Sequence, residues 1–308
     1  MSETLRISGI SKRYAQSGVQ ALKEITFETG PGEIFGLIGP DGAGKSTLFR
    51  ILATLILPDT GTASIFGYDV VKDFRSIRKI VGYMPGRFSL YQDLSVEENI
   101  RFFATIFNTT VEENYQLIRD IYVQLEPFKH RRAGKLSGGM KQKLALCCAL
   151  VHEPRVLLLD EPTTGVDPVS RKEFWDMLDV FKRKGIAVIV STPYMDEAAR
   201  CDRIALMQKG QIMDIDTYAG VLARHAHQVL AVQGSDMYGL LRDLRAYDLC
   251  ISCYAFGDVH HMSLKDISEG QLRTLREYLA DRGHSKVSIK PISTGIEDVF
   301  IDLMTSVA

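Results

Sequence analysis

Residues 39–47 have residue types and a spacing that suit the binding of a phosphate chain. The nine residues are Gly39, Pro40, Asp41, Gly42, Ala43, Gly44, Lys45, Ser46 and Thr47. The three glycines let the backbone curl so that successive N–H groups face one anion, and the helical pattern that follows adds its positive dipole end. In such a loop the lysine reaches the β- and γ-phosphates and the serine hydroxyl sits on Mg²⁺. The run therefore predicts a site for a nucleoside triphosphate.

Two carboxylates, those of Asp160 and Glu161, directly follow the apolar stretch Val156 to Leu159. A continuous apolar run of this kind is typical of a strand buried on both faces. Its carboxyl end lies at the sheet edge where open α/β folds bind ligands. We therefore expect Asp160 to hold Mg²⁺, directly or through water.

A third motif, Ser137-Gly138-Gly139, opens a long helical pattern and offers another anion site. One phosphate cannot occupy two such sites of one rigid monomer. The sequence thus leaves Ser137, Gly138 and Gly139 without a partner in their own chain.

Together these motifs resemble the nucleotide-binding subunit of ATP-binding-cassette (ABC) transporters, over roughly residues 3–217. The likeness is strongest to drug-export and ABC-2 type ATPases, particularly the first half of bacterial exporter ATPases with two cassettes in one chain. It implies a P-loop NTPase fold of the ABC type, with an antiparallel β subdomain and a helical subdomain. It also implies ATP and Mg²⁺ as cofactors and integral-membrane permeases as partners.

The resemblance assigns roles to further residues. Tyr14 falls where the family places an aromatic ring against adenine, and Glu161 matches the general base that polarises the attacking water. Asp167 matches the residue that crosses between subunits. In the family two cassettes pair head to tail, so each ATP lies between one subunit's Lys45-type loop and the other's Ser137-type loop.

Two positions depart from the family pattern. Gly86 replaces a glutamine that senses Mg²⁺ and water, and Pro193 replaces a histidine that contacts the γ-phosphate. Proline cannot donate even a backbone hydrogen bond. These losses predict a pocket that binds ATP but hydrolyses it slowly, in an asymmetric pair with a different ATPase subunit. The alternative is that Arg87, Gln92 or Tyr194 supplies the missing groups; Asp41, often asparagine in relatives, is a milder departure.

Three functions remain open at this stage. The first is an ATPase subunit driving an exporter, as one half of a heterodimer. The second is a catalytically degenerate regulatory subunit, which the departures at Gly86 and Pro193 favour. The third is a soluble cassette ATPase acting on ribosomes or DNA, which usually has two cassettes or a long coiled coil, and neither is present here.

Composition narrows the class of protein. The 308 residues carry a formal net charge of −1, which gives no general reason to expect nucleic-acid binding. No apolar run approaches the roughly 18 residues of a membrane span, and the N-terminus has no apolar secretory core. We expect a cytoplasmic chain that reaches the inner face of the membrane through partners. The segment Arg87–Tyr91 is a candidate docking surface, with ordinary helical packing as the alternative.

The elements that position these residues follow from hydrophobic periodicity. Runs at 5–14 and 21–27 predict an antiparallel pair, and runs at 33–38, 155–160 and 186–192 predict buried parallel strands. Residues 76–134 are expected to form a mostly helical insertion, with helices at 96–107 and 112–125, and the family resemblance implies that this insertion is the helical subdomain. A hairpin is predicted at 203–215, around Lys209-Gly210. Residues 1–217 are thus expected to form the nucleotide-binding domain.

Residues 218–308 have a different character and predict a small α+β accessory domain, with a ferredoxin-like arrangement as one candidate. Short β-like runs alternate there with helical patterns. Cys250 and Cys253, near His260 and His261, leave a zinc site open as an alternative to a plain strand in which Cys250, Ser252 and Tyr254 share one face. The five cysteines do not resemble a disulfide framework.

Overall fold

The computed structural model describes residues 4–224, 228–264, 267–284 and 286–306, which form two compact units that divide after Tyr218. The strands of the first unit are β1 (Leu5–Arg13), β2 (Gln20–Thr29), β3 (Ile34–Ile38), β4 (Thr60–Ile65), β5 (Tyr68–Asp69), β6 (Val81–Met84), β7 (Val156–Asp160), β8 (Ala187–Thr192), β9 (Arg203–Gln208) and β10 (Gln211–Asp216). Its helices are α1 (Lys45–Leu52), α2 (Phe74–Ile80), α3 (Val96–Ile106), α4 (Tyr115–Leu125), α5 (Gly138–Leu150) and α6 (Pro168–Arg183).

A six-stranded sheet in the order β10-β9-β3-β8-β7-β6 forms the centre of this unit. All neighbours are parallel except β10, which returns antiparallel to β9 in the predicted hairpin. Every residue of β3, β7 and β8 is buried, because elements cover both faces of a parallel sheet. The expected α/β fold with buried parallel strands is confirmed.

A separate four-stranded antiparallel sheet has the order β2-β1-β4-β5. β1 pairs with β2 from Leu5↔Thr29 to Arg13↔Gln20, as expected from the sequence. On its other edge β1 pairs with β4. The sheet therefore places the end of β1, and Tyr14 after it, next to the loop that precedes α1.

The segment expected to be a helical insertion also contains a strand, β6, which pairs in parallel with β7. α3 begins in a capping box: the Ser95 side chain accepts from the Glu98 backbone, and the Glu98 side chain accepts from the Ser95 backbone. α4 begins at Tyr115 rather than at residue 112. The Glu113 carboxylate accepts hydrogen bonds from Thr109 and Thr110, which closes a turn before the helix.

The second unit begins within α7 (Tyr218–Arg224), the helix that contains the division. Its elements are β11 (Gln228–Gln233), α8 (Met237–Arg245), β12 (Cys250–Phe256), β13 (Val259–Leu264), α9 (Glu269–Asp281), β14 (Ser288–Ile292) and α10 (Ile296–Ser306). The sheet order β12-β13-β11-β14, antiparallel throughout, is the ferredoxin-like arrangement. α8 and α9 pack over one face around Leu230, Leu240, Met262 and Leu275.

A bulge in β12 changes the predicted face of Cys250. The pairing register with β13 shifts between Cys250 and Ser252, so Cys250 packs beside the same core as Cys253. Ser252 instead donates to Asp302 of α10. The expectation that Cys250 and Ser252 share a face is wrong for this reason. Across the described ranges no group of three or more His, Cys, Asp or Glu side chains is arranged to hold a metal.

Candidate functional site

The loop of residues 39–47 connects β3 to α1, and neighbouring backbone fixes its shape. Gly44 caps α1 with φ +107°, a conformation that side chains disfavour. A Cβ added at Gly44 would lie 2.4 Å from the Ala21 carbonyl oxygen, and one at Gly39 would lie 2.1 Å from that of Met207. The glycines are therefore required by close packing against β2 and β9 as well as by the turn.

Lys45, the first residue of α1, is only 2% exposed. Its Nζ donates to the carbonyl oxygens of Gly39 at 2.7 Å and Pro40 at 3.0 Å, and lies 3.1 Å from Glu161 Oε1. A buried ammonium needs such partners. The structure thus brings Lys45 of the phosphate-binding loop next to Glu161, the residue that directly follows β7.

Beside Lys45, the side-chain oxygen atoms of Asp160 and Ser46 lie within hydrogen-bond distance of each other. The Ser46 hydroxyl donates to Asp160 Oδ1 at 3.1 Å, and the Ser191 hydroxyl donates to the same oxygen at 2.7 Å. Magnesium prefers oxygen ligands and is usually bound by one or two carboxylates together with substrate phosphates and water. A hydroxyl and one carboxylate beside a phosphate-binding loop fit that requirement.

Glu161 has a left-handed backbone, with φ +50°. Non-glycine residues rarely adopt this region, at a cost of roughly 1–3 kcal/mol, and such residues cluster at functional sites. The Glu161 amide donates to both the carbonyl oxygen and the hydroxyl of Ser191, at 3.1 and 3.0 Å. The neighbouring strand β8 therefore holds Glu161 in this conformation.

Tyr14 lies beside the loop, with its hydroxyl 3.3 Å from Thr47 Oγ1. Its half-buried ring lines a cleft of about 560 Å³ together with residues 42–47, Lys23, Glu161 and Lys209. The size is that of a small-molecule site. Asp41 is exposed next to this cleft.

Ser137, Gly138, Gly139 and Asp167 form a second cluster at two helix starts. Ser137 caps α5 by accepting from Met140, and Asp167 caps α6 by accepting from the Ser170 amide at 3.0 Å. That hydrogen bond lowers the pKa of the Asp167 carboxyl. Among the described residues, none of this cluster lines the cleft beside Tyr14.

The two positions that depart from the family pattern, Gly86 and Pro193, lie next to the two carboxylates and the phosphate-binding loop. A Cβ added at Gly86 would lie 3.0 Å from the Asp160 carbonyl oxygen and 3.7 Å from Glu161 Cβ. Pro193 follows Thr192, whose carbonyl oxygen accepts from Gly39. The missing side chains are thus those next to the carboxylates and the phosphate loop.

The three residues considered as replacements for the missing glutamine and histidine make other contacts. Arg87 lines an apolar groove between α2, α3 and α5. Gln92 is exposed, and its backbone oxygen accepts from Gly134. The Tyr194 ring lies under the Arg171 guanidinium, 4.4 Å from its carbon.

Sequence reasoning missed Ser191, which contacts the Asp160 carboxylate and the Glu161 backbone amide. Ser191 pairs with Asp160 in the parallel register of β7 and β8. A hydroxyl residue at the end of a buried strand is the available signal, but the sequence alone does not give the strand register.

Comparison with known proteins agrees with the fold and these motifs. The model of the family described as "ABC transporter" matches residues 22–164. The probable multidrug ABC transporter ATP-binding protein YbhF of Escherichia coli (strain K12) is 36% identical over 305 residues, which are 97% of this chain and 52% of that protein. The chain thus spans about half the length of that relative.

Two further comparisons cover most of the other protein. The Nod factor export ATP-binding protein I of Mesorhizobium japonicum is 31% identical over 300 residues, 96% of this chain and 85% of that protein. The solved structure of cbiO1 from Clostridium perfringens, part of the ABC transporter complex cbiONQ, has a TM-score of 0.64 at 27% identity, over 72% of this chain and 92% of that one. The chain belongs to the ABC transporter family, among its ATP-binding proteins.

Proposed function

We propose that the chain binds and hydrolyses ATP as one half of an asymmetric ATPase pair that drives an exporter. One observation carries the asymmetry: the phosphate loop and the Ser137 helix start are complete, whereas Gly86 and Pro193 leave the surroundings of Asp160 and Glu161 short of two side chains. The relative that is named for Nod factor export supports the direction of transport.

In this proposal the cleft beside Tyr14 takes ATP. The Tyr14 ring stacks on adenine, the amides of residues 39–47 surround the phosphates, and Lys45 turns its ammonium to the β- and γ-phosphates. Ser46 and Asp160 would hold Mg²⁺, which neutralises the charge that develops on the phosphates. Glu161 orients and polarises the attacking water.

The Ser137 cluster acts on a different nucleotide. Ser137 and Gly138 are exposed at the start of α5, so their hydroxyl and amides are available to an anion on another subunit. Asp167 is exposed beside them and contacts the opposite cassette. ATP therefore closes a head-to-tail pair, and hydrolysis reopens it.

The test compares two substitutions in the chain reconstituted with its membrane and ATPase partners. Ser137→Arg places a long cation where the partner's ATP must sit, so we expect ATP turnover to fall at least roughly tenfold. Glu161→Gln removes a base from a pocket that is already slow, so turnover should fall less than about threefold. Steady-state ATPase and transport assays measure both.

The opposite ranking would reject the asymmetric pair. Brisk hydrolysis by the lone chain would reject it as well, because a homodimer has two deficient pockets. If the chain binds Mg-ATP but neither substitution changes ATP turnover, the chain is a regulatory subunit, which is the alternative that Gly86 and Pro193 also favour. Lys45→Ala, which removes the phosphate-binding ammonium, serves as the non-binding reference.

We further propose that permease subunits dock in the apolar groove that Arg87 lines. Phe88, Phe103 and Phe107 form part of its wall, with Arg78 and Lys79 also lining it. Its volume is about 520 Å³, and the cations favour an acidic, amphipathic helix as the occupant. Tyr91 lies outside it, edge-on to Phe102 at 4.7 Å. Within the described ranges no helix is long and apolar enough to cross a membrane.

If permeases dock in this groove, the chain should sediment with membranes only when its permeases are present. It should then lie at the inner face of those membranes. Phe88→Asp should abolish that association while Mg-ATP binding by the purified chain changes less than about threefold, because the groove contains no residue of the Tyr14 cleft. Tyr91→Ala is the matched control. Binding of the purified chain to bare lipid vesicles would contradict docking through a permease.

A further inference from the structure

A buried carboxylate joins the loop after β7 to the loop after β8. The Glu197 side chain is 3% exposed and lies in the 3-10 helix that follows β8. Its Oε1 accepts from the Thr163 hydroxyl at 2.8 Å, and its Oε2 accepts from the Thr192 hydroxyl at 2.5 Å. Thr163 comes two residues after Glu161, and Thr192 directly precedes Pro193. One carboxylate thus bridges the two loops that border the phosphate site.

The charge of Glu197 is balanced from a third element. Arg171 of α6 places Nε 3.3 Å from Glu197 Oε1, and its guanidinium also contacts Asp196 at 2.7 Å. Arg171 lies one helical turn after Asp167, the N-cap of α6. A buried polar network is rigid when every member is satisfied, and removing one member leaves the others unpaired at considerable cost.

This network continues into the carboxylates of the site. Thr192 follows Ser191, whose hydroxyl donates to Asp160 and accepts from the Glu161 amide. The Tyr194 amide donates to the Thr192 hydroxyl at 3.0 Å. The hydroxyl that Glu197 orients therefore also fixes the backbone on both sides of Pro193.

We propose that Glu197 is a positioning residue for ATP hydrolysis. It fastens the Thr192–Tyr194 loop to the Glu161–Asp167 loop, so Asp160, Glu161 and the subunit-crossing Asp167 keep one spacing although no histidine holds the loop at position 193. Glu197 itself contacts neither nucleotide nor metal. This inference rests on the proposed ATPase function and names a further residue of the same site.

The experiment separates hydrolysis from binding in the full chain. Mg-ATP affinity is measured by calorimetry, and the rate of a single turnover is measured with protein in excess over labelled ATP. For Glu197→Ala we expect the rate to fall roughly 10- to 100-fold, as displaced catalytic groups do, with the Kd changed less than about threefold. Glu197→Gln should recover most of the rate, because its amide can accept from one threonine and donate to the other.

Asp196→Asn is the matched control. It removes the exposed carboxylate from the same guanidinium, and its rate should stay within about twofold of the parent chain. Should Glu197→Ala fail to fold, Thr163→Val and Thr192→Val each remove one hydroxyl. Each single variant should slow turnover. The double variant should be no slower than the slower of the two single variants, because both hydroxyls act through the Glu197 carboxylate.

A second readout does not depend on turnover. Hydrogen exchange at the Tyr194 amide should accelerate at least roughly tenfold in Glu197→Ala and stay unchanged in Asp196→Asn. An unchanged rate and unchanged exchange in Glu197→Ala would overturn the proposal, as would a loss of affinity equal to the loss of rate. A parent chain that binds no Mg-ATP would instead reject the proposed function itself.

Discussion

At the scale of single residues, the absent side chains at positions 86 and 193 matter most. Gly86 lies against the backbone of Asp160 and brings no side chain to a position where the family resemblance leads us to expect a glutamine. Pro193 directly follows β8 and has no backbone hydrogen-bond donor, although the Thr192 side chain holds the backbone of Tyr194 after it. On the proposed roles, the site therefore has its scaffold and lacks two contacts to the reacting phosphate.

Restoring those two side chains should raise hydrolysis by the lone chain. Gly86→Gln adds a Cβ 3.0 Å from the Asp160 carbonyl oxygen, so the loop must shift by a few tenths of an ångström. Combined with Pro193→His, we expect a gain of at least about tenfold in steady-state ATPase. Gly86→Ala with Pro193→Ala, which adds bulk without function, is the control. An equal rate in both double variants would mean that the slow pocket has another cause.

The motif residues of the site were predictable because each motif is local in sequence. Residues 39–47 form one loop, and Asp160 and Glu161 end one strand. Ser191 and Glu197 were not predictable, because they reach Asp160 and Thr163 across 31 and 34 residues of chain through strand register and a short 3-10 helix.

At the scale of elements, the buried strands β7 and β8 were predictable, whereas β4 and β6 were not. Continuous apolar runs at 156–160 and 187–192 read as strands without tertiary information. β4 and β6 are six and four residues long, mix glycine with apolar residues, and are strands only because β1 and β7 pair with them. Tertiary pairing thus overrides a weak local preference.

His152 joins several of these elements and gives the first unit a pH dependence. Its Nε2 donates to the carbonyl oxygen of Val81 at 3.1 Å, and its ring stacks on Phe107 with centroids 3.8 Å apart. Burial lowers the pKa of His152 from its ordinary 6.5 to about 4. Between these values the unfolded chain binds a proton that the folded chain does not, so the free energy of unfolding falls as pH drops from 6.5 towards 4.

We expect this histidine to account for at most about 2–3 kcal/mol of the acid-induced loss of stability. His152→Phe keeps a ring on Phe107 and removes the titration, so its stability should decline less between pH 7 and pH 4.5. Urea unfolding of the parent chain and of His152→Phe at several pH values measures this difference in stability. The two chains have the same carboxylates, so the contribution of the carboxylates to the pH dependence cancels in the comparison. Parallel pH profiles would contradict the assignment.

At the scale of the whole molecule, the chain divides after Tyr218 into two units, each with its own sheet and core. The residues proposed for ATP lie in the first unit. The second unit has a ferredoxin-like sheet whose core includes Leu230, Met262 and Leu275. Each core is built from residues of its own unit, as expected of an independently folding domain.

A fragment of residues 1–218 should therefore bind Mg-ATP with a Kd within about threefold of the full chain, and residues 219–308 should unfold cooperatively on their own. Calorimetry and thermal unfolding test the two statements, with Lys45→Ala in the shorter fragment as the non-binding control. Loss of binding in the first fragment would mean that the second unit contributes to the nucleotide site.

The ion pair between Lys45 and Glu161 has a consequence for the order of events in the pocket. Each group serves as the other's counter-charge, 3.1 Å apart. Incoming phosphate competes for the ammonium with several oxygens at once, and as Lys45 turns to them the carboxylate is freed to face a water. On the proposed roles, the substrate thus releases its own base on arrival.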